Sequence, residues 1–249
     1  MRLRLLAAFA ALVLAGCSQN ADTGRNQLML VDDAQLAQLA DQAWGEMTAQ
    51  IAPVRDPAMQ ARLARLAAPI AQATGRTDLA WEFVVLDSPE LNAFVLPNGK
   101  VGVFRGLMEF ARDDDELGSV IAHEAGHIVA RHPTERVSQQ LAVQAGVSIA
   151  QALFSGENGE NAEVVAGALG LGAVYGVILP FSRSHELEAD RVGVDLMRKV
   201  GLDPQGAVSF WRRMAARGNQ QAKPPEALST HPADDRRLTA LEEAVAAAG

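Results

Sequence analysis

Hydrophobic positions recur at helical spacing from about Asp33 to Ile51, and again from Pro57 to Ala73. Pro53 and Pro57 interrupt the two runs, and Thr74-Gly75 has C-cap chemistry. The texture then changes. In "WEFVVLDSPELNAFVLPNGKVGVFRG" β-branched and aromatic residues alternate with others, and Pro97-Asn98-Gly99 supplies a turn. Three strands are predicted: Trp81 to Asp87, Asn92 to Leu96 and Lys100 to Phe104. They suit a small core sheet whose edge could pair with an extended peptide. Helical patterning returns from Asp113 to His132, with Asp113 as N-cap, Glu116 at capping-box spacing and Pro133 as the stop. Two apolar segments follow, Leu141 to Phe154 and Ala162 to Phe181, separated by "SGENGEN". The second is long enough to raise a membrane span. Glu163, Pro180 and the glycines at 167, 170, 172 and 176 favour a buried or lipid-touching helical hairpin instead. Ser182 or Ser184 is expected to cap a helix through "HELEADRVGVDLMRKV" that ends at Gly201. Asp203-Pro204 starts another, and a last helix follows His231-Pro232.

The N-terminus reads differently. "MRLRLLAAFAALVLAGC" opens with Arg2 and Arg4, continues through an apolar run from Leu5 to Leu14 and closes on small residues, the layout of a secretory signal. Leu14-Ala15-Gly16-Cys17 resembles the lipobox of bacterial lipoproteins, in which the cysteine is lipidated and becomes the first mature residue. By that resemblance Ser18 favours sorting to the outer membrane. The expected organisation is a signal peptide over 1–16, a lipidated N-terminus and polar tether over 17–32, and one domain over 33–249. Cys17 is the only cysteine, so no intrachain disulfide can form. A net charge of −8 with no dense Lys/Arg cluster excludes a nucleic-acid binder, and Arg212 and Arg213 read as a solvated helix face.

The candidate chemistry lies in "IAHEAGHIVARH", residues 121–132. On a helix His123 and His127 share a face and can aim two imidazoles at one ion, an arrangement zinc favours. Glu124 sits about 100° round the helix from His123, where it can serve as a base toward water at that ion without ligating it. Histidine occurs only five times in 249 residues, so the pattern is not background. A catalytic zinc usually takes a third protein ligand. Ala130 and Pro133 stand where a metzincin would have glycine and histidine, which excludes that class. His132 lies about 140° from His127 around the helix and is expected to cap the helix end or lie exposed. Glu186 and Asp190 in "SRSHELEADRVG" are four apart and share a face, so one can bind the ion while the other receives the spare N–H of a ligand histidine. Glu188 points elsewhere.

HEAGH followed some sixty residues later by SRxxExxAD, with "NAFVLPNGKVGVFRGL" upstream and "STHPADDRRL" downstream, resembles the HtpX/BepA/LoiP group of metallopeptidases, relatives of the CAAX prenyl protease. "TGRNQLMLV" resembles the periplasmic lipoprotein members of that group. The resemblance maps His123, His127 and Glu186 onto the ligands of a single zinc ion, Glu124 onto the catalytic base and Asp190 onto the shell behind the ligands. It maps His231 onto a histidine that can reach the zinc and hold the enzyme latent, making it a fourth ligand or a transition-state donor. Arg237 matches an arginine that could pair with a site carboxylate. It also implies an α+β, mainly helical zincin-type domain with a small sheet beside the active-site helix. The implied role is quality control of misfolded or misassembled outer-membrane and periplasmic proteins by an enzyme lipid-anchored in the periplasm at the inner leaflet of the outer membrane. Two rivals stand beside it: a lipid-anchored chaperone or assembly factor for outer-membrane β-barrels with a structural or latched zinc, and a zinc amidase acting on the cell wall.

Overall fold

The computed structural model describes residues 16–154, 179–218, 231 and 235–247. In chain order its elements are β1 (Cys17–Gln19), β2 (Asn26–Leu28), α1 (Asp33–Gln50), α2 (Pro57–Ala73), β3 (Glu82–Leu86), β4 (Ala93–Val95), β5 (Lys100–Phe104), α3 (Arg105–Phe110), α4 (Asp114–Val129), α5 (His132–Phe154), α6 (Leu179–Lys199), α7 (Gln205–Gly218) and α8 (Asp235–Ala246). The described residues form two compact units, drawn from residues 1–35 with 131–184 and from residues 36–130 with 185–249. The architecture is the expected α+β, mainly helical one.

In the first unit β1 and β2 pair antiparallel, Cys17 opposite Leu28 and Gln19 opposite Asn26. Asn20 closes the turn by accepting from the backbone N–H of Asp22 at 2.8 Å and Thr23 at 3.0 Å. Residues 17–28, whose polarity suggested a tether, are therefore a hairpin. It is fastened to α5: the Arg25 guanidinium pairs with Glu135, Gln27 Nε2 donates to Glu135 Oε2 at 3.0 Å, and the Leu30 N–H donates to Ser138 Oγ at 2.9 Å. Sequence misplaced two features here. Pro133 does not stop a helix but occupies the first turn of α5, where its missing N–H costs nothing. The break before it is made by Arg131, at φ 55°. His132 is neither exposed nor at the end of the preceding helix; it opens α5 and is buried.

The second unit holds the main core. Asp56 caps α2 by accepting from Ala58 N at 2.9 Å, Pro57 follows, and Leu63, Leu66, Ala67 and Ile70 bury one face. Gly75, at φ 72°, turns the chain out of it. The sheet order is β3-β5-β4, with β3 and β5 parallel and β4 antiparallel to β5, so β4 is an edge strand. Its register (Phe94 opposite Gly102, Val95 opposite Val101), with Leu96 N donating to Lys100 O, turns the backbone groups of Ala93 and Val95 away from β5. Asp113 caps α4 by accepting from Glu116 N at 2.9 Å, and three acidic residues fill its first turn. From Glu116 to Val129 every residue of α4 is buried, so this helix runs through the core. Asp203 accepts from Gln205 N at 2.9 Å at the start of α7, and Arg198 donates to the carbonyls of Ala244 and Val245 at the end of α8. Arg213 is not on a solvated face: it pairs with buried Glu116 and lies 4.3 Å over the Phe110 ring. Ser182 and Ser184, both proposed as its cap, lie inside α6.

Among the described residues no helix is long and apolar enough to cross a membrane. Residues 1–15 of the expected signal segment and 162–178 of the apolar run lie outside the described residues.

Candidate active site

The site is assembled within the second unit by α4, α6, α8 and His231. Two glycines let α4 and α6 approach closely: a Cβ on Gly126 would lie 2.7 Å from the Ala189 carbonyl oxygen, and one on Gly193 would lie 3.2 Å from His123 N. At that separation a glutamate on α6 reaches both histidines of α4. Glu186 Oε2 lies 3.2 Å from His123 Nε2, and Glu186 Oε1 lies 3.4 Å from His127 Nε2. The two Nε2 atoms are 3.1 Å apart. His231 joins this set, its Nδ1 3.0 Å from Glu186 Oε2 and 3.2 Å from His123 Nε2. One ligand atom from each of His123, His127, Glu186 and His231 thus lies within 4.8 Å of the others.

The alternatives left open for the two α6 carboxylates resolve geometrically. Glu186 faces the Nε2 atoms, while Asp190 Oδ1 accepts the N–H of His123 Nδ1 at 2.8 Å. That bond fixes the tautomer of His123 and leaves Nε2 free to ligate. Arg237 from α8 grips Asp190 with two donors, Nε to Oδ2 at 2.7 Å and Nη2 to Oδ1 at 2.8 Å. Its third nitrogen, Nη1, reaches Glu186 Oε2 at 3.0 Å and the His231 carbonyl at 3.1 Å. Glu124 Oε1 lies 3.4 Å from His231 Nε2. Its carboxylate takes no part in the converging set.

Burial and facing charges compete over the proton affinities. It pushes the Glu124 carboxyl above its usual range, and neighbouring His231 and His123 only partly counter it. For His123 burial works downward, but Glu186 and Asp190 outweigh it and raise the imidazole to about 9. Asp190, although buried, is brought down to about 2 by Arg237, and Glu186 lies well below the ordinary carboxylate range because His123 and His231 face it. Glu124, Glu186 and Asp190 are three buried carboxylates against one buried guanidinium, Arg237. With neutral imidazoles the cleft carries two surplus negative charges, which a divalent cation would balance. Three imidazoles and a carboxylate also suit a first-row metal ion such as zinc.

One residue that sequence reasoning passed over, Trp211 of α7, packs its ring edge-to-face with His123 at 5.9 Å between centroids. A tryptophan on the apolar face of a helix carries no mark in sequence that separates it from a core residue.

The helix bearing HEAGH, the carboxylate helix across from it and the edge strand together define the class of HExxH metallopeptidase folds. Within that class the chain belongs to peptidase family M48, whose profile it matches over residues 57–245. It is 39% identical over 170 residues to the mitochondrial metalloendopeptidase OMA1 of Schizosaccharomyces pombe, a match covering 68% of this chain and 48% of that protein. Against the beta-barrel assembly-enhancing protease of Yersinia pestis the identity is 32%, over 64% of this chain and 33% of the relative. The Escherichia coli K12 protein of the same name is 27% identical over 87% of this chain and 45% of its own length. The matched region is thus less than half of each of these relatives.

Proposed function

We propose that the chain is a zinc-dependent endopeptidase acting on misfolded or misassembled proteins of the outer membrane and periplasm. The observation that carries this reading is the convergence of His123, His127 and Glu186 on one point beside a buried carboxylate, Glu124, that is not part of the converging set. One zinc ion per chain would be held by those three residues. Bound there, it would supply an acidified water and a polarised peptide carbonyl. Glu124 is suited to accept the proton of the attacking water, since its burial raises its affinity for one, and to pass it to the leaving amine. Asp190 and Arg237 hold His123 in the ligating tautomer. An extended substrate would add to the outward edge of β4, pairing with the backbone of Val95.

Lipidation at Cys17 would anchor the protein in the periplasm, at the inner leaflet of the outer membrane. Support for outer-membrane β-barrel proteins and their assembly machinery as partners comes from the names of the Yersinia and Escherichia relatives. With zinc supplied, the mature chain is expected to degrade an unfolded outer-membrane β-barrel protein, and Glu124→Gln to lower the rate by about 10²- to 10⁴-fold. Equal rates for the two proteins would refute Glu124 as the base. Cys17→Ser is expected to move the protein from the membrane to the soluble fraction; a variant that stays membrane-bound would refute the anchor.

A second reading has its own observation. His231 already stands among the ligand atoms and within 3.4 Å of Glu124, as expected of a latched site in a chaperone or assembly factor. If wild type and Glu124→Gln both bind the substrate without cutting it, His231→Ala decides: cleavage by that variant identifies a latched peptidase, and binding alone identifies a holdase.

A further inference from the structure

Trp211 is 4% exposed on α7 and takes no part in the chemistry above, yet it touches two members of the site. The Arg237 guanidinium carbon lies 4.1 Å above the centre of its ring, and its edge meets the His123 imidazole with the two planes 67° apart. The ring is itself held in place: Phe210 meets it edge-to-face at 5.5 Å, and Phe110 meets Phe210 in the same way at 5.7 Å.

Arg237 is the only buried cation among the site residues described, at 3% exposure, and its donors fan out in one plane to Asp190, Glu186 and the His231 carbonyl. A two-donor grip on a carboxylate requires the guanidinium and carboxylate planes to coincide, whereas the arginine stem leaves that plane free to rotate. A flat aromatic face beneath the guanidinium removes that freedom. Asp190 in turn accepts the His123 Nδ1–H, so the tilt of the guanidinium sets where Asp190 sits and thereby where His123 Nε2 points.

We propose that Trp211 is a positioning residue of the metal centre: the platform that, through Arg237 and Asp190, aims His123 at the ion and keeps the His231 carbonyl beside Glu186. This rests on the metal site proposed above. A Trp211 that merely filled core would affect stability and leave the ion's environment alone.

The test is zinc affinity, measured by chelator competition on wild type, Trp211→Leu, Trp211→Phe and Arg237→Lys, with unfolding of each metal-free protein followed in urea. Trp211→Leu fills most of the space without a ring face and is expected to weaken zinc binding by about tenfold or more. Trp211→Phe restores a face under the guanidinium and is expected to recover most of that loss, even if both variants lose similar stability. The cobalt-loaded proteins are expected to follow suit: altered visible bands in Trp211→Leu, near-wild-type bands in Trp211→Phe. Arg237→Lys keeps the charge but gives up the fork, leaves the Trp211 pocket intact and is expected to weaken zinc binding likewise. Should Trp211→Leu fail to fold, the comparison of Arg237→Lys with Trp211→Phe carries the test. Wild-type affinity and cobalt bands in Trp211→Leu, or in Arg237→Lys where the former does not fold, overturn the inference alone. A wild type that takes up no zinc overturns the metal site with it.

Discussion

His123 stands between two carboxylates, Glu186 at its Nε2 and Asp190 at its Nδ1. Without an ion this sandwich holds a proton on the imidazole up to about pH 9. A ligand nitrogen must give that proton up, so zinc uptake at pH 7.5 is expected to release about one proton, read by calorimetry in buffers of different ionisation enthalpy. Because the folded value lies above the unfolded one of 6.5, the stabilisation is complete below pH 6.5 and is lost as pH rises through about 9. The urea midpoint of the metal-free protein should therefore fall across that interval, and His123→Gln should abolish the fall. Asp190 acts in the opposite direction: its contribution is present above its usual 3.8 and is lost as pH falls toward 2. Much of this was legible in sequence, because a helix converts the four-residue spacings of His123/His127 and Glu186/Asp190 into shared faces. Which carboxylate faces which nitrogen was not, since spacing fixes a face but not the depth at which two helices meet. Trp211 was invisible for a related reason: its contacts are with residues from two other helices.

At the scale of elements, α2 and β5 lie where the hydrophobic pattern puts them, residue for residue, and β3 and β4 differ only at their ends, whereas β1 and β2 lie in a stretch whose polarity suggested a tether. A further error came at the break after α4, where Arg131 turns the chain and Pro133 starts a helix. Proline suits both the end of one helix and the first turn of the next, so sequence alone does not choose. Glycine inside a helix is equally ambiguous. Gly45 of α1 has open space around the position of a Cβ, whereas at Gly126 that atom would meet the Ala189 carbonyl oxygen at 2.7 Å. Gly45→Ala is therefore expected to raise stability by about 0.5–1 kcal/mol in urea unfolding. Gly126→Ala is expected to lower it by about 1–3 kcal/mol, and to weaken zinc binding as well, because Glu186 rides on the displaced helix.

At the scale of the whole molecule, each unit is closed by segments distant in sequence, and no pattern of local periodicity announces that. The first unit depends on Arg25, which reaches 110 residues along the chain to Glu135. Arg25→Ala would take the guanidinium from that buried carboxylate and is expected to cost about 2 kcal/mol, less than a fully buried pair because Arg25 is a quarter exposed. Hydrogen exchange at the amides of residues 26–28 should accelerate in the variant. The hairpin that Arg25 fastens also changes what an anchor at residue 17 would mean. A slack chain of about a dozen residues would let its cargo wander roughly 20 Å from the point of attachment. Cys17 instead sits in register with Leu28, inside the folded unit. A lipid there would moor the protein like a keel rather than a kite, and the clients it met would be those already lying against the bilayer.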